Sequence, residues 1–299
     1  MTWAVKLLPG LSGAYSIARR TGLMKAPWFR RAYVRAYFFY KRRFEDPFDG
    51  LVRDRPALFQ GGHVLDVGAQ IGYTVSLFSK ALSPGFKVYA FEPEPENFSL
   101  LLETIGSRCA QGTIIPVPAA VGDRAGSVEL WRNPAHPGDH RVASEAFRRQ
   151  AGADIGTTPV RLVSLDGFLV SVGEAVAPVA FVKIDVQGYE PAVCRGMVGL
   201  LDRCPNVVVA IELAPRELRA QAFAPADLVG FFRDRGHSIH LLAKDGSLTP
   251  FGEGNPDVES RGRGYADLLC SRRDLADRAP RVTLPADGPW QPPLPPTRS

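Results

Sequence analysis

The sequence predicts an α/β protein built on an open, mostly parallel β-sheet with helices on both faces. Three observations carry this. From Val64 onward, short apolar runs alternate with helical signals, the pattern of strand–helix–strand units. The first run, Val64-Leu65-Asp66-Val67, ends in a glycine-containing turn, Gly68-Ala69-Gln70-Ile71-Gly72, that opens a helix. A second run, Val88-Tyr89-Ala90-Phe91, stops at Glu92.

Taken in order, strands are expected at 63–67, 87–91, 113–117, 181–184 and 207–211, each a short apolar run. Helices are expected over 72–82, 95–105 and roughly 189–202. The second of these begins at Pro95 with an acidic first turn, and both features suit a helix N-terminus. Two late strands are expected near 237–242 and 265–270. Between the third and fourth core strands lies an insertion, 122–176, with strands expected at 127–131 and 159–163 and a polar loop at 133–141. It is long enough to form a substrate wall. The domain spans 59–275, preceded by a basic, aromatic, helical arm over 1–58 and followed by a proline-rich tail, 276–299, expected to be disordered.

With 299 residues, 45% hydrophobic and 22% charged, the chain can bury a full core. Cys109, Cys194, Cys204 and Cys270 form no Cys-x-x-Cys pair, which argues against a zinc site or a disulfide framework and fits a reducing cytoplasm. No apolar run reaches the ~18 residues of a membrane span, and no secretory signal is expected. The net charge of +5 is local: residues 1–43 hold ten Lys or Arg and no Asp or Glu, so the remainder carries −5. Aromatic residues at 29, 33, 37 and 40 repeat at helical spacing. Two readings stand, an amphipathic helix docked on the domain and a segment touching a peripheral membrane or other anionic surface; nucleic acid is the least favoured partner.

The spacing Asp66-x-Gly68-x-x-x-Gly72 differs from the Gly-x-Gly-x-x-Gly that seats a dinucleotide pyrophosphate. An acidic residue heading the loop suits a cationic ligand, because two anions in one low-dielectric pocket repel. S-adenosyl-L-methionine carries a sulfonium and an ammonium, and Glu92 is placed to accept hydrogen bonds from its ribose hydroxyls. In an open parallel sheet, ligands bind beyond the carboxyl ends of the strands. That adds Ala119 and Ala120, small enough to admit a flat adenine, and Asp185 and Glu212 after the fourth and fifth strands. Asp185 either orients the cofactor ammonium, orients the acceptor hydroxyl, or caps the following helix.

The segments LDVGAQIGYT, YAFEPEPENFSLL, AAVGD, VRLVSLDGFL, FVKIDVQGYEPAVCRGM and VVVAIELAP together resemble the FkbM family of S-adenosylmethionine-dependent methyltransferases, over roughly residues 60–215. The resemblance implies a Rossmann-like class I methyltransferase fold, a seven-stranded sheet with its last strand reversed, and O-methylation of sugar hydroxyls, polyketides or other secondary metabolites. It carries cofactor contact to Asp66, Gly68, Gly72 and Glu92, and active-site placement to Asp185 and Glu190. Two positions depart from the family: Gln70 stands where Asn is common, keeping an amide, and Gln187 where Glu is common, removing a charge. His140, in the polar loop of the insertion, then becomes a candidate proton acceptor.

Glu212 is followed by Leu213, Ala214 and Pro215 rather than an Asp-Asn pair, so metal-independent chemistry is expected. The fourth strand leads into Asp185-Val186-Gln187-Gly188 rather than an Asn/Asp-Pro-Pro-Tyr loop, which counts against methylation of nucleic-acid bases. A lipid or sugar amine remains an alternative acceptor, and a non-catalytic scaffold retaining the fold an alternative role.

Overall fold

The computed structural model describes residues 18, 21–133, 138–152, 155–252 and 264–275. The tail expected to be disordered, 276–299, and the arm residues Lys6, Arg19 and Arg20 lie outside the described residues.

Strands β1 (His63–Val67), β2 (Val88–Phe91), β3 (Ile114–Val117), β4 (Ala120–Val121), β5 (Gly126–Trp131), β6 (Arg141–Val142), β7 (Thr157–Val163), β8 (Val179–Ile184), β9 (Val208–Leu213), β10 (Ser238–Leu242), β11 (Leu248–Pro250) and β12 (Ala266–Ser271) form two sheets. The larger has the order β11-β10-β12-β9-β8-β1-β2-β3. From β3 to β9 the neighbours are parallel, and β12 runs antiparallel to both β9 and β10. This is the Rossmann-like sheet with a reversed last strand that was expected, with one addition. The short hairpin strand β11 extends the edge, giving eight strands where seven were expected.

The central strands are mostly apolar because both faces are covered. Leu65, Val67, Val182, Ile184, Val209 and Ile211 enter one core, and Val64, Phe181, Val208 and Ala210 the other, as the two-residue period of a strand requires. Helices α1 (Pro27–Tyr40), α2 (Phe48–Asp54), α3 (Tyr73–Ala81) and α4 (Pro95–Ala110) belong to the second face. There Phe59 stacks on Phe78 at 5.1 Å and meets Phe181 at 4.4 Å, so residues 48–59 are part of the core. Tyr33 and Val34 of α1 pack with Ile71 and Leu100, and Arg30 pairs with Glu103 at 2.8 Å. A π-helical turn, Lys41–Glu45, follows α1.

The insertion makes a second sheet, β4-β7-β5-β6, crossed by α5 (Glu145–Ala151) and followed by α6 (Leu165–Ser171). Its β6 and α5 exceed the two strands expected there. Ser144 caps α5 by accepting from Phe147 N at 3.2 Å. Helices α7 (Glu190–Arg195) and α8 (Val198–Arg203) replace the single helix expected over 189–202. The break has a cause. A Cβ on Gly196 would lie 1.9 Å from the Gly122 carbonyl oxygen, so the chain passes against the turn after β4. Asp166 then restarts the helix by accepting from Gly199 N and Leu200 N at 2.8 and 2.6 Å. Helices α9 (Pro215–Ala220) and α10 (Pro225–Arg233) complete the helical cover among the described residues. Among the described residues, no helix is long and apolar enough to cross a membrane.

Candidate active site

β1 and β8 lie side by side in a register that pairs Asp66 with Lys183, and both side chains are buried. Lys183 Nζ lies 3.5 Å from Asp66 Oδ1 and 3.4 Å from Asp185 Oδ2, and it donates to the Gly68 carbonyl at 2.9 Å. Thr74 Oγ1 donates to the other Asp66 oxygen at 2.5 Å. Burial raises the Asp66 carboxyl above its ordinary range, against the pull of Lys183 and Thr74. At Asp185 burial also pushes upward, but Lys183, Lys41 and the Gln187 amide outweigh it and hold the carboxyl below its usual value. Lys183 is thus a buried cation that keeps Asp185 ionised. Nothing in the run FVKID marks that lysine as different from an ordinary strand residue.

The glycines of the first loop serve the protein's own packing. Gly68 has φ +82° and a Cβ there would fall 1.9 Å from the Asp185 carbonyl oxygen, while one on Gly72 would fall 2.7 Å from Leu101 Cδ1. The missing side chain of Gly68 brings the β1 loop against the end of β8, and that of Gly72 brings it against α4. Gly68 also lines both cavities at the site, whereas Gly72 lines neither.

Glu92 follows β2 and is buried. Its Oε2 accepts from Gln70 N at 2.9 Å and its Oε1 from Glu94 N at 2.8 Å, which fixes the carboxylate and leaves one lone pair on each oxygen. Burial, with Glu94 adding repulsion, pushes its carboxyl up to about 8. Glu92 lines a cavity of about 560 Å³, open mouth included, together with Gly68, Gln70, Ala119, Ala120, His140, Asp185 and Gln187. The cavity is polar at Glu92 and apolar at Phe91, Val121, Leu130 and Val142, a combination suited to a nucleoside with vicinal hydroxyls.

Gln70 holds the mouth together. Its Oε1 accepts from Tyr37 OH at 2.8 Å, and its Nε2 donates to the Gly138 carbonyl at 3.4 Å. The N-terminal helix and the insertion therefore meet on one amide.

Of the remaining candidates, His140 lines the cavity and accepts at Nδ1 from Asn133 N at 3.1 Å. That bond puts the neutral ring's proton on Nε2, so Nε2 is a donor in this arrangement and the ring must turn to serve as a base. Glu190 sits beneath the loop after β8. Its Oε1 accepts from Val186 N at 3.0 Å and Gly188 N at 3.2 Å, and burial raises its carboxyl to about 7. It clamps the loop and does not line the cavity. Gln187, at φ +55°, donates from one amide nitrogen to Asp185 at 3.0 Å and to Glu212 at 3.3 Å. Burial and the Asp185 charge raise Glu212 well above its ordinary value.

A second cavity, about 530 Å³ with its mouth, shares Gly68, Gln70 and Asp185 with the first. Tyr37, Lys41, Glu45 and Asp46 wall one side, and Glu212, Tyr265 and Asp267 another. Its carboxylates outnumber its two lysines, Lys41 and Lys183. Burial raises Asp46 to about 7. No local pattern in residues 37–46 marks them as reaching the site. A π-helical turn is often found at functional sites, but it has no signature in a single sequence.

Comparison with known proteins bears on these cavities. Residues 66–239 match the family described as the methyltransferase FkbM domain. The hexuronic acid methyltransferase AglP of Haloferax volcanii is 33% identical over 148 residues, which cover 49% of this chain and 54% of that protein. The match thus spans about half the length of that relative. Among solved structures, a methyltransferase FkbM from Methylobacillus flagellatus is similar with TM-score 0.46 and 16% identity, over 78% of this chain and 50% of that one. The O-methyltransferase TomG from Streptomyces achromogenes, solved with S-adenosylmethionine, is similar with TM-score 0.41 and 11% identity, over 75% of this chain and 80% of that one. The sequence match runs from the Asp66 loop through the ends of β2, β8 and β9 and takes in the whole lining of the first cavity and part of that of the second, and the chain belongs to the FkbM methyltransferase family.

Proposed function

We propose that the protein is an S-adenosylmethionine-dependent O-methyltransferase acting on a hydroxyl of a glycan or small molecule. The observation that carries the reading is Glu92, a carboxylate fixed by two backbone amides with one lone pair left on each oxygen, at the wall of the first cavity. The fit to the cofactor is good. Glu92 would hold the ribose diol, Ala119 and Ala120 leave room for the base, and Asp185 on the wall would put negative charge near a cationic sulfur and ammonium, while Asp66 lines neither cavity and lies buried against Lys183. When bound, the cofactor supplies a methyl group that passes to the acceptor oxygen, releasing S-adenosylhomocysteine and the hydroxyl proton. The chain's part is to align and to hold charge. Lys183 keeps Asp185 ionised, and Gln187 ties Asp185 to Glu212, where the two cavities meet. The first cavity takes the nucleoside in this reading, and the second the acceptor. AglP, named for hexuronic acid, supports a sugar acceptor.

Calorimetric titration with S-adenosylmethionine and S-adenosylhomocysteine tests the reading. Micromolar binding is expected, and absence of binding to both would leave the fold as a scaffold. Release of S-adenosylhomocysteine against a panel of glycans, lipids and polyketides then identifies the acceptor. Activity is expected to survive exhaustive chelation; loss restored by magnesium would show that a metal is needed. An amine acceptor is the second reading, favoured by the acidic second cavity. Faster turnover of an amino sugar than of the matching neutral sugar would select it.

A further inference from the structure

Helix α1 has two faces with different partners. Tyr33, Val34 and Tyr40 are buried, and Tyr37 reaches Gln70 at the cavity mouth. This fixes the helix's rotation, so its opposite face is turned outward. That face carries Trp28, 66% exposed, and Phe39, 67% exposed, with Arg31 and Arg35 exposed between them. The positions 28, 31, 35 and 39 form one stripe at intervals of three and four residues. Exposed Arg42 and Arg43 extend the positive end beyond the helix, Arg42 sharing its charge with Asp49 at 3.4 Å. No acidic residue occurs in α1 or anywhere in residues 1–43, while the rest of the chain is net negative.

Large aromatic side chains between arginines are unusual on a face meant only for water. They match a helix lying in a bilayer interface, where aromatic rings enter the headgroup layer and guanidinium groups meet lipid phosphate. The charge distribution sets the orientation, because an anionic surface attracts this stripe and repels the net-negative remainder. We propose that the outward face of α1 docks the protein on an anionic lipid bilayer. The same helix supplies Tyr37 to both the second cavity and the Gln70 contact. Docking therefore sets the mouth of the site near the membrane surface. Given the glycan-methylating role proposed above, the acceptor is then one held at that surface; the docking itself does not depend on that role.

The test is flotation of the full-length protein with vesicles of phosphatidylcholine alone and of phosphatidylcholine with about 25% phosphatidylglycerol. Binding is expected only to the anionic vesicles and should fall as salt rises. Each arginine near the surface contributes ~1 kcal/mol, about a fivefold change in partitioning. The double variant Arg31→Glu and Arg35→Glu should therefore lose binding by a factor of more than about 25. Trp28→Ser with Phe39→Ser should weaken it through the apolar contact. Both pairs are exposed, so unchanged thermal unfolding and S-adenosylhomocysteine binding verify folding. Equal binding to neutral vesicles, no flotation with either, or full binding by the variants overturns the proposal. So would a dimer in sedimentation that the Trp28→Ser, Phe39→Ser variant abolishes, since a second copy would then cover the face. Displacement from vesicles by a stoichiometric oligonucleotide would assign the stripe to nucleic acid instead. Failure of S-adenosylhomocysteine to bind while flotation persists would remove the enzymatic reading and leave the docking intact.

Discussion

In the proposed reading, Glu92 ties cofactor binding to pH. Its carboxyl, pushed up to about 8 by burial, is protonated in the unliganded protein at neutral pH. Ribose hydroxyls donate to the ionised form and favour it, so binding should expel a proton and tighten as pH rises from about 6 to 8. Calorimetry in buffers of different ionisation enthalpy measures that proton; none released at neutral pH would refute the contact. Glu92→Ala should weaken binding about 10- to 150-fold, the loss of charge-assisted hydrogen bonds worth ~1.5–3 kcal/mol. Lys183→Met should act on the fold as well. It strips the counter-charge from Asp66 and Asp185 and should destabilise the protein by ~3–5 kcal/mol near neutral pH. The deficit should shrink in acid as the two carboxyls take up protons; denaturant titrations at several pH values would show a constant deficit if the lysine merely packs.

Elements were legible wherever local pattern and burial agree. β1, β8 and β9 are covered on both faces and announce themselves as mostly apolar runs, broken only at His63, Asp66, Lys183 and Glu212. The break between α7 and α8 was illegible, because it is imposed by Gly122 and Asp166, residues distant in sequence. The same holds at the site. The cavity positions of Glu92 and Asp185 follow from their strand-end addresses, whereas Asp66 is turned onto Lys183 and Thr74, and Lys41 and Asp46 reach the second cavity only because α1 docks on α4 and then unwinds into a π-helical turn. Glu190 carried an expected role that its bonds to two loop amides redirect toward holding the loop in place. The contact of the β1 loop with the end of β8 can be tested directly. Gly68→Ala puts a methyl group on the Asp185 carbonyl at a positive φ, and should cost more than about 3 kcal/mol in chemical unfolding. A loss below about 1 kcal/mol would mean that the two loops move independently.

For the whole molecule, the raised carboxyls add up to a direction. Glu92 at about 8, Glu190 at about 7 and Asp46 at about 7 keep protons in the folded chain that the unfolded chain has released. Stability therefore falls as pH rises from about 4.5 to 8, because the native state binds more protons across that window. Melting temperatures of the unliganded protein should decline from about pH 6 to 8.5, and a rise over that interval would contradict these burials. The construction also has an evolutionary consequence. In the proposed reading the strand ends floor both cavities, the insertion closes the nucleoside cavity and touches the N-terminal helix through the amide of Gln70, and residues 37–48 with Tyr265 and Asp267 give the acceptor cavity its walls. Those walls can be exchanged, lengthened or grafted without disturbing the parallel core, so a new acceptor can be acquired by changing the periphery while the donor half is inherited unchanged.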